Sequence, residues 1–141
     1  LDLLRRKLGD ERFFDGFRRA FALNDTAIDG FERLERGFEE ATGEELRPFF
    51  DQWFFRADFP VLEASFETQD DETRVTITQE QADEPYTLDV ELVLELDDGS
   101  THVETVHLDS RRQSVTPTLA APARKLRLGP DGRLPARVRV R

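Results

Sequence analysis

The chain reads as an α+β protein in which a block of helices is followed by a block of strands, and three features of its 141 residues say so. Apolar residues recur every three or four positions before Pro60 and every second position after it, the periods of a buried helix face and a half-buried strand. Turn signals then return about every ten residues, at Asp97-Asp98-Gly99-Ser100 and at Gly129-Pro130-Asp131-Gly132 among others. Ten of the twelve Phe lie within residues 1–58, which marks the helical block as the aromatic one.

In the helical block, Leu1, Leu4 and Leu8 share one face until Gly9-Asp10 interrupts. Phe13, Phe17 and Phe21, with Phe14 and Ala20, form a second face. Asn24-Asp25-Thr26 reads as a loop, and Thr26-x-x-Asp29 as a capping box for a helix that buries Ile28, Phe31, Leu34, Phe38 and Ala41. Gly43 follows as a C-terminal stop. Pro48 suits the first turn of a last helix, where its missing N–H leaves no hydrogen bond unmade. That helix buries Phe49, Phe50, Trp53 and Phe54. Asp58 is expected in a left-handed cap conformation, and Pro60 bars continuation.

After Pro60, Leu62, Ala64 and Phe66 alternate with polar residues, as do Val75 and Ile77. Tyr86, Leu88, Val90, Leu92, Leu94 and Leu96 form the clearest half-buried strand. Val106 and Leu108 belong to its return strand. Further strands are expected at Val115–Leu119, Leu126–Leu128 and Leu134–Val140. About seven short strands with regular turns fit an immunoglobulin-like sandwich. The expected domains are a helical segment over 1–58 and a β-sandwich over 59–141.

A chain of this length holds one ordinary domain or two small units. It has no Met and begins with Leu, which points to a piece of a longer protein. No apolar run approaches the ~20 residues of a membrane span. No Cys is present, so disulfides and thiolate zinc sites are excluded, though no compartment is thereby fixed. The net charge of −10 is uneven. Residues 57–109 carry sixteen acids and one base, Arg74, whereas 110–141 carry nine bases and one acid, Asp131. Basic strands lying beside acidic ones in a sheet account for this segregation. Nucleic-acid binding is disfavoured, because the basic tail has no aromatic residue on which a base could stack.

No residue is assigned a catalytic, metal or ligand-binding role. His102 and His107 are five apart on one strand and point to opposite faces, so they cannot share a metal. Asp70-Asp71-Glu72 and Asp97-Asp98 sit at turns without the ligand spacing of a calcium loop. Glu39, Glu40, Glu44 and Glu45 border a helix end as surface charge. There is no His-Glu-x-x-His, nucleophile elbow or phosphate-cradling glycine loop. The Phe content exceeds what so short a helical block can cover, which predicts a missing neighbour or self-association through exposed Phe.

Four stretches resemble the alanyl aminopeptidase (aminopeptidase N) family of zinc metallopeptidases. Leu3-Leu4-Arg5-Arg6-Lys7-Leu8-Gly9-Asp10-Glu11-Arg12-Phe13-Phe14 is similar to a helix start that follows the family's catalytic Tyr. Phe38-Glu39-Glu40-Ala41-Thr42-Gly43-Glu44-Glu45-Leu46 and Phe49-Phe50-Asp51-Gln52-Trp53 resemble motifs late in its catalytic domain. From Val75-x-Ile77-x-Gln79-x-Gln81 to Leu126-x-Leu128-Gly129-Pro130-Asp131-Gly132 the chain looks like the small sandwich that follows. Two departures stand out: Ala57-Asp58 replaces the family's Pro-Gly, and Gly129-Pro130 its Asp-Pro. The resemblance implies that residues 1–58 end a thermolysin-like catalytic domain whose Zn²⁺ ligands precede Leu1. It implies a non-catalytic piece whose partner is the remainder of its own catalytic domain, and which meets peptide substrates only through the parent. The alternatives are a stand-alone sandwich binding module, with Phe55, Phe59 or Tyr86 as its exposed aromatics, and the scaffold of a relative that has lost its metal ligands.

Overall fold

A computed structural model of the chain describes residues 1–23 and 28–141. Four helices precede seven strands in two sheets, and the chain divides into two compact units, Leu1–Arg56 and Ala57–Arg141.

In the first unit, α1 (Asp2–Leu8) ends at Gly9, whose φ of 78° turns the chain into α2 (Asp10–Ala22). Helix α3 (Gly30–Thr42) starts at Asp29, whose carboxylate accepts from the backbone N–H groups of Phe31 (2.8 Å) and Glu32 (3.3 Å). Two first-turn donors that no helical carbonyl can reach are satisfied there. Asp29 is thus the N-cap; Thr26, the other half of the expected capping box, lies outside the described residues. Gly43 ends α3 in the left-handed conformation (φ 70°). The Glu39 side chain then accepts from the Leu46 N–H at 2.8 Å, tying the link that leads into α4 (Arg47–Phe50), with Pro48 in its first turn. A π-helical turn, Asp51–Phe55, continues it.

The apolar core of this unit is Leu4, Leu8, Phe13, Phe38, Leu46 and Phe50, with Phe17, Leu34, Phe49 and Phe54 partly buried around it. Phe13 and Phe17 meet Phe38 with ring centroids 5.5 and 5.2 Å apart, and Phe50 stacks on Phe54 at 4.7 Å. Two glycines let α2 and α3 approach. A Cβ on Gly16 would lie 2.1 Å from the Phe38 ring, and one on Gly37 would lie 2.5 Å from the Ala20 backbone. Several expected core residues are not core. Leu1, Phe14, Phe21 and Phe31 are exposed, and Phe17, Ile28, Leu34, Ala41, Phe49, Trp53 and Phe54 are half-buried. They lie at the end or the border of an apolar stripe, where periodicity cannot say how far the covering neighbour extends.

In the second unit one sheet has the order β5-β2-β1-β7 and the other β4-β3-β6. Strands β1 (Val61–Gln69) and β2 (Glu72–Gln79) form a hairpin whose two-residue turn, Asp70-Asp71, has φ values of 51° and 65°. Strands β3 (Leu88–Leu96) and β4 (Thr101–Leu108) form the second hairpin. Its three-residue loop is closed by Leu96 N–H to Ser100 O at 2.9 Å, with Gly99 left-handed at φ 84°. A loop of that length calls for glycine at this place. Asp98 accepts from both the N–H (2.8 Å) and the hydroxyl (2.6 Å) of Ser100.

Strand β5 is Arg112–Val115, β6 is Ala123–Leu128, and β7 is Arg137–Val140, which runs parallel to β1. These bounds correct two expectations. The strand expected at Val115–Leu119 ends at Val115, because Pro117 has no N–H to give the ladder. The one expected at Leu134–Val140 begins only at Arg137, beyond Pro135. Alternation otherwise holds, with Leu62, Ala64, Val75, Ile77, Val90, Leu92, Leu94, Val106, Leu108, Leu126 and Leu128 buried, except at Val93, which is buried on the opposite face of β3. The sheets are sandwich-like, and the arrangement is not closed into a barrel.

Asp58 is not left-handed; the only non-glycine residues with positive φ among those described are Asp70 and Asp71. Tyr86 is 1% exposed, so it is no surface aromatic. Its hydroxyl donates toward the Asp58 carbonyl and carboxylate, both at 2.9 Å.

Candidate interaction surface

The segregated charge resolves into ion pairs between neighbouring strands. Arg124, Lys125 and Arg127 on β6 converge on Glu95 of β3 at 3.7, 3.6 and 3.3 Å, and Arg141 meets Glu63 of β1 at 2.9 Å. Arg111 is used internally. Its guanidinium donates to the carbonyls of Gln79 (3.1 Å), Gln81 and Asp83 (2.6 Å), fixing the loop after β2. Much of the basic tail is therefore engaged within its own sandwich.

Under that loop lies a buried polar cluster. The Gln79 amide donates to the carbonyls of Tyr86 (2.8 Å) and Ser110 (3.2 Å), and its oxygen accepts from the Tyr86 N–H (2.8 Å) and the Gln81 amide (2.9 Å). The Gln81 oxygen in turn accepts from the Val61 N–H at 3.2 Å. Alternation from Val75 and Ile77 places Gln79 and Gln81 on the inner face, and that was the signal available in the sequence. Saturated in this way, the cluster fixes the loops around it.

The two histidines fall on opposite faces of β4. His107 is exposed and its Nδ1 pairs with Asp89 of β3 at 2.7 Å. His102 is partly buried, with Nε2 3.4 Å from Glu104. Among the described residues no group of three or more His, Cys, Asp or Glu side chains is placed to share a metal. Among the described residues no helix is long and apolar enough to cross a membrane.

In the helical unit one carboxyl is shifted upward by its surroundings. Glu35 is buried beside the aromatic core, and burial pushes its pKa above the ordinary 4.5, opposed in part by Arg47 at 3.5 Å. A carboxyl with a raised folded pKa binds its proton more tightly when folded. Stability therefore falls as pH rises from the unfolded value through the folded one, and the penalty is complete above it. Glu35→Gln should stabilise the unit at neutral pH and leave it unchanged or weaker in acid. Thermal melts of both proteins across that range check this.

What the helical unit presents outward is aromatic. Phe21 is 79% exposed, and Phe14, Phe31 and Phe55 are roughly half exposed. They fall in two strips. Along α2, Phe17 and Phe21 stack at 6.0 Å and the Arg5 guanidinium lies 5.3 Å from the Phe14 ring. The other joins Phe31 to Phe54 (5.3 Å) and Phe55 (6.3 Å), with the Arg47 guanidinium 5.3 Å from Phe55. Exposed rings beside a cation are what a desolvated interface uses as anchors. In the sandwich Phe59 is half exposed, with Arg137 5.5 Å from its ring. The self-association expected through exposed helical Phe has these strips as its available surface.

Compared with known families and with curated proteins, the chain matches no family model and no curated sequence.

Proposed function

We propose that this chain is the non-catalytic C-terminal part of an aminopeptidase N-like zinc metallopeptidase. In this reading the helices end a thermolysin-like catalytic domain, and an immunoglobulin-like sandwich follows as a spacer. The observation that carries it is the exposure of Phe14, Phe21, Phe31 and Phe55 on a unit in which Phe13, Phe38 and Phe50 are buried. Each ring buried by a neighbour contributes roughly 1.5–3 kcal/mol. The remainder of the catalytic domain would cover these strips. The Zn²⁺ would polarise a peptide carbonyl and activate water in the parent; no step of that chemistry is assigned to this chain's residues, and His102 and His107 face apart.

The isolated chain should hydrolyse no aminoacyl or peptide substrate with added zinc, read by release of the N-terminal residue. Turnover that follows the chain through purification would refute the proposal. A second reading, a sandwich that binds a peptide or glycan, is favoured by Phe59 under Arg137. Tyr86 cannot serve it.

A further inference from the structure

We propose that the free edge of β4 pairs with the same edge of a second copy of this chain, joining the two three-stranded sheets into one six-stranded sheet. The inference is independent of the zinc-peptidase reading, since it uses only the sandwich.

Strand β4 has β3 on one side and no strand on the other among the described residues. The hairpin fixes which backbone groups are left over. Leu96 N–H bonds Ser100 O, so the even-numbered residues of β4 face β3 with their backbone groups. Consistently, Glu91 O points the opposite way and accepts from Gly129 N–H on the β6 side at 2.8 Å. By alternation, the N–H and C=O groups of Thr101, Val103, Thr105 and His107 point away from the sheet. Only the last of these carbonyls has a partner, the Gln113 amide at 2.7 Å. Thr101 to Thr105 is left as an unpaired template.

The other sheet ends resist self-pairing. Strand β6 carries Arg124, Lys125 and Arg127, β7 is four residues long with Arg137 and Arg139, and β5 is four residues long. Lysine and arginine on an edge, or a short edge, are how strands avoid one another. Strand β4 has eight residues, one acid and no Lys or Arg. Its Val103 is 54% exposed.

The side chains select one register. In an antiparallel pair related by a two-fold axis through Val103, Val103 meets its twin and Thr101 meets Thr105, with about six backbone hydrogen bonds across the seam. The same register sets His102 directly opposite Glu104 of the second copy, and does so twice. Within one chain the His102 Nε2 is buried without a hydrogen bond, although the Glu104 carboxylate on the same strand is 3.4 Å away. Moving the axis by one residue, to Glu104, would place the two glutamates face to face. The self-complementary His–Glu pairing and the twinned valine therefore favour a second copy over an unrelated extended peptide.

Sedimentation equilibrium of the full chain tests this. The expected result is a reversible dimer of twice the 16.3 kDa chain mass. Val103→Pro removes an outward N–H that the hairpin does not use, and should abolish the dimer with an unchanged far-UV spectrum. Should that variant fail to fold, an exchange of the two side chains decides. His102→Glu and Glu104→His should each weaken association at least tenfold, by setting Glu against Glu or His against His. The double exchange should restore it. A wild-type chain that stays monomeric at high concentration overturns the proposal. So does a dimer that persists in folded Val103→Pro, which places the contact elsewhere, or a double exchange no better than the single changes.

Discussion

Replacing Gly37 with leucine should cost the helical unit about 3 kcal/mol, among the larger penalties for overfilling a packed site. The reason is geometric. A Cβ at Gly37 would sit 2.5 Å from the Cα, Cβ and N of Ala20. Backbone cannot step aside as the end of a flexible side chain can, so α2 and α3 must separate. That separation would loosen the contact of Phe13 and Phe17 with Phe38. Gly30, at the start of the same helix, has nothing within 4 Å of its would-be Cβ. Gly30→Ala should therefore be neutral or stabilising, because alanine is the better helix former. Trp53 is the only tryptophan and lies in this unit, so its fluorescence during denaturant unfolding reports on the helical unit. Equal midpoints for the two glycine variants would contradict the close-crossing account.

The second large effect is expected at Gln79. Gln79→Leu keeps the approximate volume but removes the donors and acceptor that four groups use: Tyr86 N–H, Tyr86 O, Ser110 O and the Gln81 amide. A buried polar group left unpaired costs about 1–3 kcal/mol, and these belong to one network. The sandwich should lose about 3 kcal/mol or more. Tyr86 is the only tyrosine, and its near-UV signal reads the sandwich. Thr76→Val makes the fitting comparison. Its hydroxyl contact with Ser114 at 3.0 Å is exposed, so its loss should stay within about 0.5 kcal/mol.

Much of the fold was legible because local chemistry and burial agreed. The change of period at Pro60 separates helices from strands. Gly43, Pro48 and Gly99 each occupy the place where their backbone preference is needed. The acidic and basic halves of the sandwich meet as paired strands at Glu95. The reading of Tyr86 depended on partners distant in sequence. Tyr86 continues the apolar alternation of β3, yet as an aromatic before a strand it also passes for a surface ring; only Asp58 and Gln79 settle that it is buried. The limits of β5 and β7 follow from Pro117 and Pro135, prolines that alternation ignores. No feature of the sequence announces the π-helical turn at Asp51–Phe55. As for the interaction surface, the abundance of Phe was plain, but which rings stay outside depends on the reach of neighbouring helices. Phe13 and Phe14 are adjacent in sequence, and one is buried while the other is exposed.

The central claim is that the exposed rings of the helical unit were shaped against a zinc-bearing catalytic body. It is tested most directly by the metal content of the full-length product of the parental reading frame. The account predicts one Zn²⁺ per chain, held by a His-Glu-x-x-His motif upstream of Leu1. A full-length product that contains this helical unit and binds no zinc would contradict it.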